Sequence, residues 1–340
     1  MPNYTGSALL AAQAQFIPKF SAPETRRKQN PALMLALKNQ AVTIPGHQEL
    51  RKKDTRPVKA YIKTRRAAGN TSSKAHNHTG GKADSAEVTL AWIQVVERFS
   101  IHWKQGQSNI FPYAEQLAHE LEESAKNIHA RTGTLALAYL QSNRDQRSSL
   151  STGGAGTWNA TNKALEIAAG NKDFFFQHAA SFMRTQNYLG RFDVIADPIQ
   201  FRRAQYIANQ GGGNQTNLGW QISDMNILET TETIDANYTG GSALIMPEGM
   251  FAGLAWNDPQ NLKGDGNFDE FNGGFGVVQD PLGSGLLFDF HAYTERADAS
   301  ASGGGVQDRT LQAEMTLTMG FVLPPLSTAN ESVVYEIAQA

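Results

Sequence analysis

Residues 111–144 decide the fold class, and they read FPYAEQLAHELEESAKNIHARTGTLALAYLQSNR. Pro112 suits the first turn of a helix, where its missing N–H has no intrahelical partner. At 1.5 Å per residue the helix would be roughly 50 Å long, which makes it a spine on which we expect a sheet to pack. Its apolar residues recur at spacings near three, four and seven, the pattern of one helix face: Tyr113, Leu117, Leu121, Ala125, Ile128, Leu135 and Ala138.

The segments after this helix mix helices and strands without a regular βα alternation. Helices are predicted at 158–169, 172–189 and 199–209. Strands are predicted from their apolar patterns at 191–197, 226–234, 242–247, 274–279, 285–295 and 309–322. This order predicts an α+β architecture.

The chain before the spine is extended and basic. Residues 1–30 have the composition of an arm, and a short helix is predicted over 31–38. Strand-like segments at 58–64 and 87–96 enclose a tip rich in turn formers at 69–81, which predicts a long hairpin. Because an isolated hairpin is only marginally stable in water, this one is expected to lie on a partner.

The net charge of −2 hides a division along the chain. Residues 19–82 hold 15 basic and 3 acidic residues, a net charge of +12, whereas residues 83–340 hold 15 basic and 29 acidic residues, a net charge of −14. Three interpretations stay open: a solvated basic tail, an arm that neutralises nucleic-acid phosphates, or self-assembly of the basic segment with the acidic body of another copy. Tyr61 is the only aromatic residue between Lys28 and Lys82, which disfavours a protein that stacks on bases.

Composition excludes several classes of protein. The chain has no Cys, which excludes disulfides, thiolate catalysis and Cys-ligated metal clusters. No apolar run approaches the about 18 residues that a membrane-spanning helix needs. The first residues lack the basic and apolar regions of a secretory signal.

No motif predicts a catalytic, cofactor or metal site. The glycines at 211–213 lack the Lys-Ser/Thr of a phosphate-binding loop and follow a predicted helix. Residues 265–269 match the start of a calcium loop, but Glu270 stands where glycine is required, so an acidic loop is favoured and a metal there stays an open question. His76 and His78 could ligate a metal, but they fall at the predicted hairpin tip with no acidic residue closer than Asp84, so exposed tip residues are favoured. We expect no catalytic, cofactor-binding or metal-binding residues and no enzymatic activity.

Three segments carry a resemblance to a known family. They are the spine at 111–144, the helix-to-strand passage Phe182–Pro198, and Ala243–Leu254, which reads ALIMPEGMFAGL. With an arm and a basic hairpin before them and a long strand at 309–323 after them, they resemble the major capsid protein of tailed bacteriophages. That fold is shared with encapsulins and the floor of herpesvirus capsids. The resemblance is one of layout over essentially the whole chain, because the family has no short diagnostic motif.

The resemblance implies a domain plan. Residues 1–45 would be the N-terminal arm and 46–104 the extended loop. Residues 105–154 and 306–340 would form the peripheral domain with the spine, and 155–305 the axial domain. The chain would then self-assemble through hexamers and pentamers into the icosahedral shell around the double-stranded DNA genome of a tailed phage. An encapsulin-like compartment and a nucleic-acid-binding protein that uses residues 19–82 are the alternatives.

The resemblance also implies partners and a location. The chain would reside in the virion after assembly in the host cytoplasm, would contact packaged DNA without sequence specificity, and would bind no membrane. Because the arm-like residues begin near position 1, scaffolding is expected from a separate protein, beside a portal and minor capsid proteins. In such shells the arm and loop cross neighbouring subunits, which predicts these inter-subunit contacts: Arg26, Arg27, Lys28, Arg51, Lys52, Lys53, Arg56, Lys59, Lys63, Arg65 and Arg66.

Overall fold

In the computed structural model of the 340-residue chain, the described residues are 31–44, 47–51, 56–57, 59–63, 85–102, 113–210, 224–263, 274–297, 308–326 and 330–340. The arm-like residues 1–30, the hairpin tip with its two histidines, the glycine triplet and the acidic loop at 265–270 lie outside them.

Helices and strands are interspersed, which confirms the predicted α+β class. The described helices are α1 (Pro31–Lys38), α2 (Gln40–Thr43), α3 (His47–Arg51), α4 (Tyr113–Ser142), α5 (Phe175–Thr185), α6 (Pro198–Gln210) and α7 (Pro259–Lys263), with a 3₁₀ helix at Ala169–Phe174. The described strands are β1 (Lys59–Lys63), β2 (Ser85–Thr89), β3 (Ala91–His102), β4 (Thr157–Asn159), β5 (Ala164–Ile167), β6 (Phe192–Ala196), β7 (Met225–Glu229), β8 (Ser242–Pro247), β9 (Ala252–Trp256), β10 (Gly274–Gln279), β11 (Leu287–Ala297), β12 (Asp308–Val322) and β13 (Tyr335–Gln339).

A five-stranded sheet packs on the long helix α4, as the sequence predicted. β12 forms the middle of this sheet: β3 pairs along one side of it, and β11 and then β9 pair along the other, all antiparallel. β10 extends the sheet beyond β11. Phe290 and Met315 on the inner face of the sheet share one core with Leu121 and Ile128 of α4. The predicted spine is confirmed, with bounds at Tyr113–Ser142.

A six-stranded sheet has the order β4-β5-β13-β8-β6-β7. Its central strands β6, β8 and β13 are buried at every position, including the polar residues Asp193 and Glu336. On β6, Val194 faces a core that includes Phe182 of α5, whereas its neighbour Ile195 belongs to the core under α4. This sheet therefore separates and supports both cores.

The end of the chain ties the two cores together. Val333 and Val334 lie in the core under α4, and Tyr335 and Ile337 lie in the core that contains α5. β13 then pairs parallel with β5 and antiparallel with β8. The C-terminal strand is thus a central strand of the second sheet, although the chain reaches it from the first.

The N-terminal helix α1 docks on the body. Its residues Ala32, Leu33, Leu35 and Ala36 are buried in the core of α4, and α1 contacts both α4 and β9. The prediction of a helix over 31–38 is confirmed.

The predicted helix at 158–169 is wrong. These residues form the antiparallel pair β4 and β5 and the start of the 3₁₀ helix. The side-chain oxygen of Asn159 accepts hydrogen bonds from the N–H groups of Thr161, at 2.8 Å, and Asn162, at 3.0 Å. Lys163 has a φ of 56°. An Asx turn followed by a left-handed residue interrupts a helix and closes a hairpin instead.

Other predicted boundaries need smaller corrections. The helix predicted at 172–189 spans only Phe175–Thr185, since the residues before it form the 3₁₀ helix. The strand predicted at 226–234 ends at Glu229. β9 and β13 were not predicted as strands. The return strand predicted at 87–96 is divided at Leu90: β2 pairs with β1 in the hairpin, whereas β3 belongs to the five-stranded sheet. The helix predicted at 199–209 and the other predicted strands are confirmed to within a few residues.

The predicted domain plan stays a prediction. The sheets join segments that it assigns to different domains, because β9, β10 and β11, from range 155–305, pair in the sheet of β12. β13, from range 306–340, pairs with β5 and β8 of the other sheet.

Candidate assembly interface

The hairpin of β1 and β2 forms a sheet of its own. Its antiparallel register places Lys63 opposite Ser85, and Lys59 Nζ lies 2.8 Å from Glu87 Oε1, with both side chains about half exposed. From Lys59 to the tip and back, no Asp or Glu occurs before Asp84. One cation of the hairpin, Lys59, therefore pairs with a carboxylate near the base of the hairpin. Between Lys63 and Lys82 the sequence contains no Asp or Glu with which the other cations could pair.

The base of the hairpin is fixed to the body. Trp92 Nε1 donates a hydrogen bond of 2.6 Å to the carbonyl oxygen of Pro57, and the guanidinium carbon of Arg56 lies 5.6 Å from the centre of the Trp92 ring, in cation–π range. Leu90, between β2 and β3, is buried in a cluster that includes Ile44. The hairpin consequently projects from a firm attachment at the start of β3.

The segment that leads to the hairpin is held by polar contacts as well as by α1. Thr43 Oγ1 donates a hydrogen bond of 2.5 Å to the carbonyl oxygen of Gly249. Asn39 Nδ2 lies 3.5 Å from Oδ2 of the buried Asp193, and Asn226 donates to the other oxygen of Asp193 at 3.0 Å. These contacts fix where the basic segment leaves the body.

The predicted inter-subunit contacts separate into three groups. Arg56 and Lys59 contact groups of their own chain, as described above. Arg51 is the half-buried last residue of α3, and Lys63 is the last residue of β1, where the structure describes the backbone. The remaining seven lie outside the described residues: Arg26, Arg27, Lys28, Lys52, Lys53, Arg65 and Arg66. Their part in contacts between copies stays a prediction.

A buried ionic joint links the end of α4 to β13. Arg144 pairs through Nη1 with Glu336 Oε2, and its Nη2 donates to the carbonyl oxygen of Asn162 at 2.9 Å. Glu336 is fully buried, and its second oxygen accepts no hydrogen bond from an N–H or hydroxyl donor. Burial, with a further contribution from the neighbouring Asp235, raises the pKa of Glu336 to about 8 against the opposing charge of Arg144.

A second pair lies three residues along the chain. Arg147 contacts Asp145 at 2.8 Å and Glu331 at 3.3 Å, and its Nη2 donates to the Tyr335 hydroxyl at 3.0 Å. Asp145 also accepts a hydrogen bond from the N–H of Ser332. These contacts could not be predicted from the sequence, because Arg144 and Glu336 are 192 positions apart, Arg147 and Tyr335 are 188 positions apart, and no local pattern connects them.

We expect the substitution Glu336→Gln to flatten the pH dependence of stability. The folded pKa of about 8 lies above the ordinary value of 4.5, so the stability from this group is complete below pH 4.5 and is lost as the pH rises through 8. Between pH 6 and pH 7 the natural chain should lose about 1 kcal/mol through Glu336, and the Gln variant should not. Urea unfolding at both pH values measures the difference, and equal losses in both proteins would contradict the prediction.

α4 is also tied to the turn between β10 and β11. His129 Nε2 lies 2.8 Å from Asp280 Oδ2, both side chains are buried, and the His129 ring meets Phe288 edge-on at 6.0 Å. Although burial opposes it, the hydrogen bonds that Asp280 accepts from His129, Ser284 and the backbone lower the pKa of Asp280. This pair fixes the spine against the sheet.

Within the described residues, no three His, Asp or Glu side chains are grouped as metal ligands. No helix in the described part of the chain is long and apolar enough to cross a membrane. What the arrangement can do is present a cationic hairpin and an extensive folded body to another molecule.

Comparison with solved structures finds chains of similar layout. The structure described as the capsid of Ralstonia phage GP4 has a TM-score of 0.46 and 10% identity, with 82% of each chain covered. The structure described as Mycobacterium phage Bobi has a TM-score of 0.45 and 13% identity, over 92% of this chain and 91% of the other. The capsid structure of the cyanophage P-SCSP1u has a TM-score of 0.42 and 12% identity, with 83% of each chain covered.

Solved phage capsids are thus among the structures that this chain resembles over most of its length. No protein-family model and no curated protein matches the sequence. Identity this low leaves the function to be argued from the chain's own residues.

Proposed function

We propose that the chain is the major capsid protein of a tailed phage, a subunit that self-assembles into the closed shell around the double-stranded DNA genome. The observation that carries the proposal is the hairpin of β1 and β2, which pairs with no other described strand of its own chain. Two strands alone are marginally stable in water. A neighbouring copy supplies the surface that such a hairpin needs.

The charge division gives this contact its direction. The basic segment carries +12 and the rest of the chain −14, so the hairpin of one copy is attracted to the body of the next. Each exposed ion pair contributes only about 0.2–1 kcal/mol, but complementary charge sets orientation and excludes wrong partners. Most of the stability of the assembled particle must then come from apolar contacts that are buried between copies.

A contact of this kind joins copies into rings instead of a simple dimer. A hairpin that lies on the body of the next copy makes a heterologous contact, in which two different surfaces meet. Heterologous contacts generate rings when the rotation closes. Rings of five and six copies are the pentamers and hexamers that the proposal requires. A separate scaffolding protein, a portal and minor capsid proteins would complete the particle in the virion.

Nucleic-acid binding is the less favoured function of the basic segment, because two of its cations already contact groups of their own chain. Lys59 pairs with Glu87, and Arg56 stacks on Trp92, so neither is preset to neutralise a phosphate. In this proposal packaged DNA contacts the shell without sequence specificity.

The particle mass of the purified protein tests the proposal. Light scattering with negative-stain microscopy should show closed shells of megadalton mass, formed by the chain alone or after addition of a scaffolding protein. A monomer that binds DNA with a steep salt dependence and forms no shell with a scaffolding protein would refute the proposal.

A further inference from the structure

A cleft of about 210 Å³ opens on the five-stranded sheet where β12 changes its neighbour. β11 pairs with β12 as far as Thr316, and β9 pairs with it from Thr318 onward. Met315 and Leu317 of β12 face the core under α4. Because side chains alternate between the faces of a strand, Thr316 and Thr318 point away from α4, into the cleft.

These two threonines form the floor of the cleft. Thr316 stands opposite Asp289 of β11. Thr318 stands opposite Trp256 of β9. Thr316 is 7% and Thr318 4% exposed, and neither hydroxyl has a hydrogen-bond partner in the described part of the chain. A buried hydroxyl normally has a partner, so both are available to a ligand.

The carboxylate of Asp289 is fixed beside this floor without a cation. Its Oδ1 accepts hydrogen bonds from Asn261 Nδ2 at 3.1 Å and from Asn257 Nδ2 at 3.4 Å. No described Lys or Arg side chain forms an ion pair with it, and burial, with a further contribution from Asp258, raises the pKa of Asp289 against these hydrogen bonds. A bound cation would supply the charge that this carboxylate lacks.

Aromatic rings form the walls of the cleft. Trp256, Phe275 and His291 line it, and the rings of Phe275 and His291 stack with their centres 4.3 Å apart. Glu314 lies at the edge, where Arg98 pairs with it at 2.7 Å. Cations are attracted to the faces of aromatic rings and form strong hydrogen bonds with carboxylates. Rings and carboxylates in one cleft therefore favour a cation that carries an apolar chain.

We propose that this cleft binds a small organic cation, an alkylguanidine or an alkylamine. Its cationic head donates hydrogen bonds to the carboxylate of Asp289 and to the hydroxyls of Thr316 and Thr318. Its alkyl chain lies against the rings of Trp256 and Phe275. A guanidinium presents five N–H donors in a planar fork, which suits one carboxylate and two hydroxyls better than the compact charge of an ammonium does.

Other ligand classes fit the cleft less well. The described residues that line it include no Lys or Arg, which disfavours an anion. The described His, Asp and Glu side chains are not grouped as metal ligands, which disfavours a metal ion. The inference is independent of the proposed shell function, because all the residues of the cleft belong to one chain.

A ligand-observed NMR titration of the purified full-length protein tests the proposal. The probe is N-butylguanidinium, and the matched control ligand is N-butylurea, which has nearly the same shape and no charge. A cation of this size should bind with a Kd on the order of 1 mM, and N-butylurea should bind at least about tenfold more weakly. Equal affinity for the two ligands, or no binding of N-butylguanidinium, overturns the proposal.

Two variants locate the site. Asp289→Asn keeps an oxygen for the amides of Asn257 and Asn261 and should weaken binding about tenfold. Thr318→Val removes only the unpartnered hydroxyl, so the thermal midpoint should not fall, while affinity falls about fivefold. Asp224→Asn, which removes a carboxylate beside the other sheet, should leave affinity unchanged. Natural affinity in folded Asp289→Asn or Thr318→Val protein overturns the proposal.

A guanidinium can belong to a free small molecule or to an arginine of another polypeptide. Competition against N-butylguanidinium separates the two sources. Agmatine represents the free ligand, and N-acetyl-argininamide represents an arginine within a chain. Competition by agmatine alone assigns the cleft to a free ligand, and equal competition by both assigns it to a side chain. Competition by neither overturns the proposal.

Discussion

Replacement of Arg144 by methionine is expected to lower the free energy of unfolding by about 4 kcal/mol at pH 8, because it leaves a buried carboxyl group without its cation. Met fills much of the space of the arginine stem, so the loss reports the charge and the hydrogen bonds. Glu336 would lose its ionic partner, and the carbonyl oxygen of Asn162 would lose its donor. Urea unfolding monitored by fluorescence measures the difference.

The effect should shrink as the pH falls. At pH 6, below its pKa of about 8, Glu336 in the folded chain is mostly protonated, and the loss should be about half as large. Arg184→Met is the matched control, since Arg184 also pairs with a carboxylate, that of Asp224 at 2.8 Å, but with both side chains about half exposed. That variant should change stability by less than about 1 kcal/mol. Equal effects at positions 144 and 184 would contradict the assigned role of the buried joint.

Local signals predicted the parts of the fold that depend on a single segment. The spacing of Leu117, Leu121, Ala125 and Ile128 was enough to predict α4, because a long amphipathic helix repeats its signal over many turns. The same holds for β12, whose 15 residues form the middle of a sheet. The α+β class followed from the order of such segments.

Tertiary contacts decided the elements that the sequence did not reveal. Residues 158–169 have the composition of a helix, and the turn around Asn159 and Lys163 converts them to a hairpin that β13 extends on its other edge. β13 itself is short and is stabilised by β5 and β8 from far earlier in the chain. β-structure of this kind depends on cross-strand neighbours more than on intrinsic preference.

The sign of the charge at the candidate interface could be predicted from the sequence, but the contacts of its residues could not. Charge along the chain pointed to the basic hairpin, and the register of β1 and β2 agrees with it. The cross-strand neighbours Phe275, His291 and Glu314 could not be predicted from the sequence either, because they come from three strands and meet only through pairing. The contacts of Arg56 with Trp92 and of Lys59 with Glu87 could also not be predicted, because the sequence shows where the cations are but not which groups they contact.

Reversal of charge near the hairpin tip is expected to abolish shell formation. The triple variant Lys63→Glu, Arg65→Glu and Arg66→Glu changes the net charge of the hairpin by −6 and replaces attraction to an acidic body with repulsion. Like charges placed together at an interface cost several kcal/mol, and a closed shell repeats that cost at every contact. We expect monomers or small oligomers by light scattering where the natural chain gives shells.

The fold of the variant subunit should be unaffected, because Lys63 lies at the far end of β1 from the anchored base at Trp92. Its thermal midpoint should match that of the natural chain. The matched control makes the same change of charge at three exposed cations of the body, Arg131→Glu, Lys172→Glu and Arg202→Glu, and should retain shells if position matters more than net charge.

Salt separates this mechanism from nucleic-acid binding. The screening length falls to about 3 Å at 1 M salt, so natural shells should assemble more slowly as salt rises while their apolar contacts persist. A DNA-binding arm would instead lose affinity with a steep log–log slope and would lose DNA binding in the triple variant. Shells of normal yield from the triple variant would show that the hairpin cations do not direct assembly.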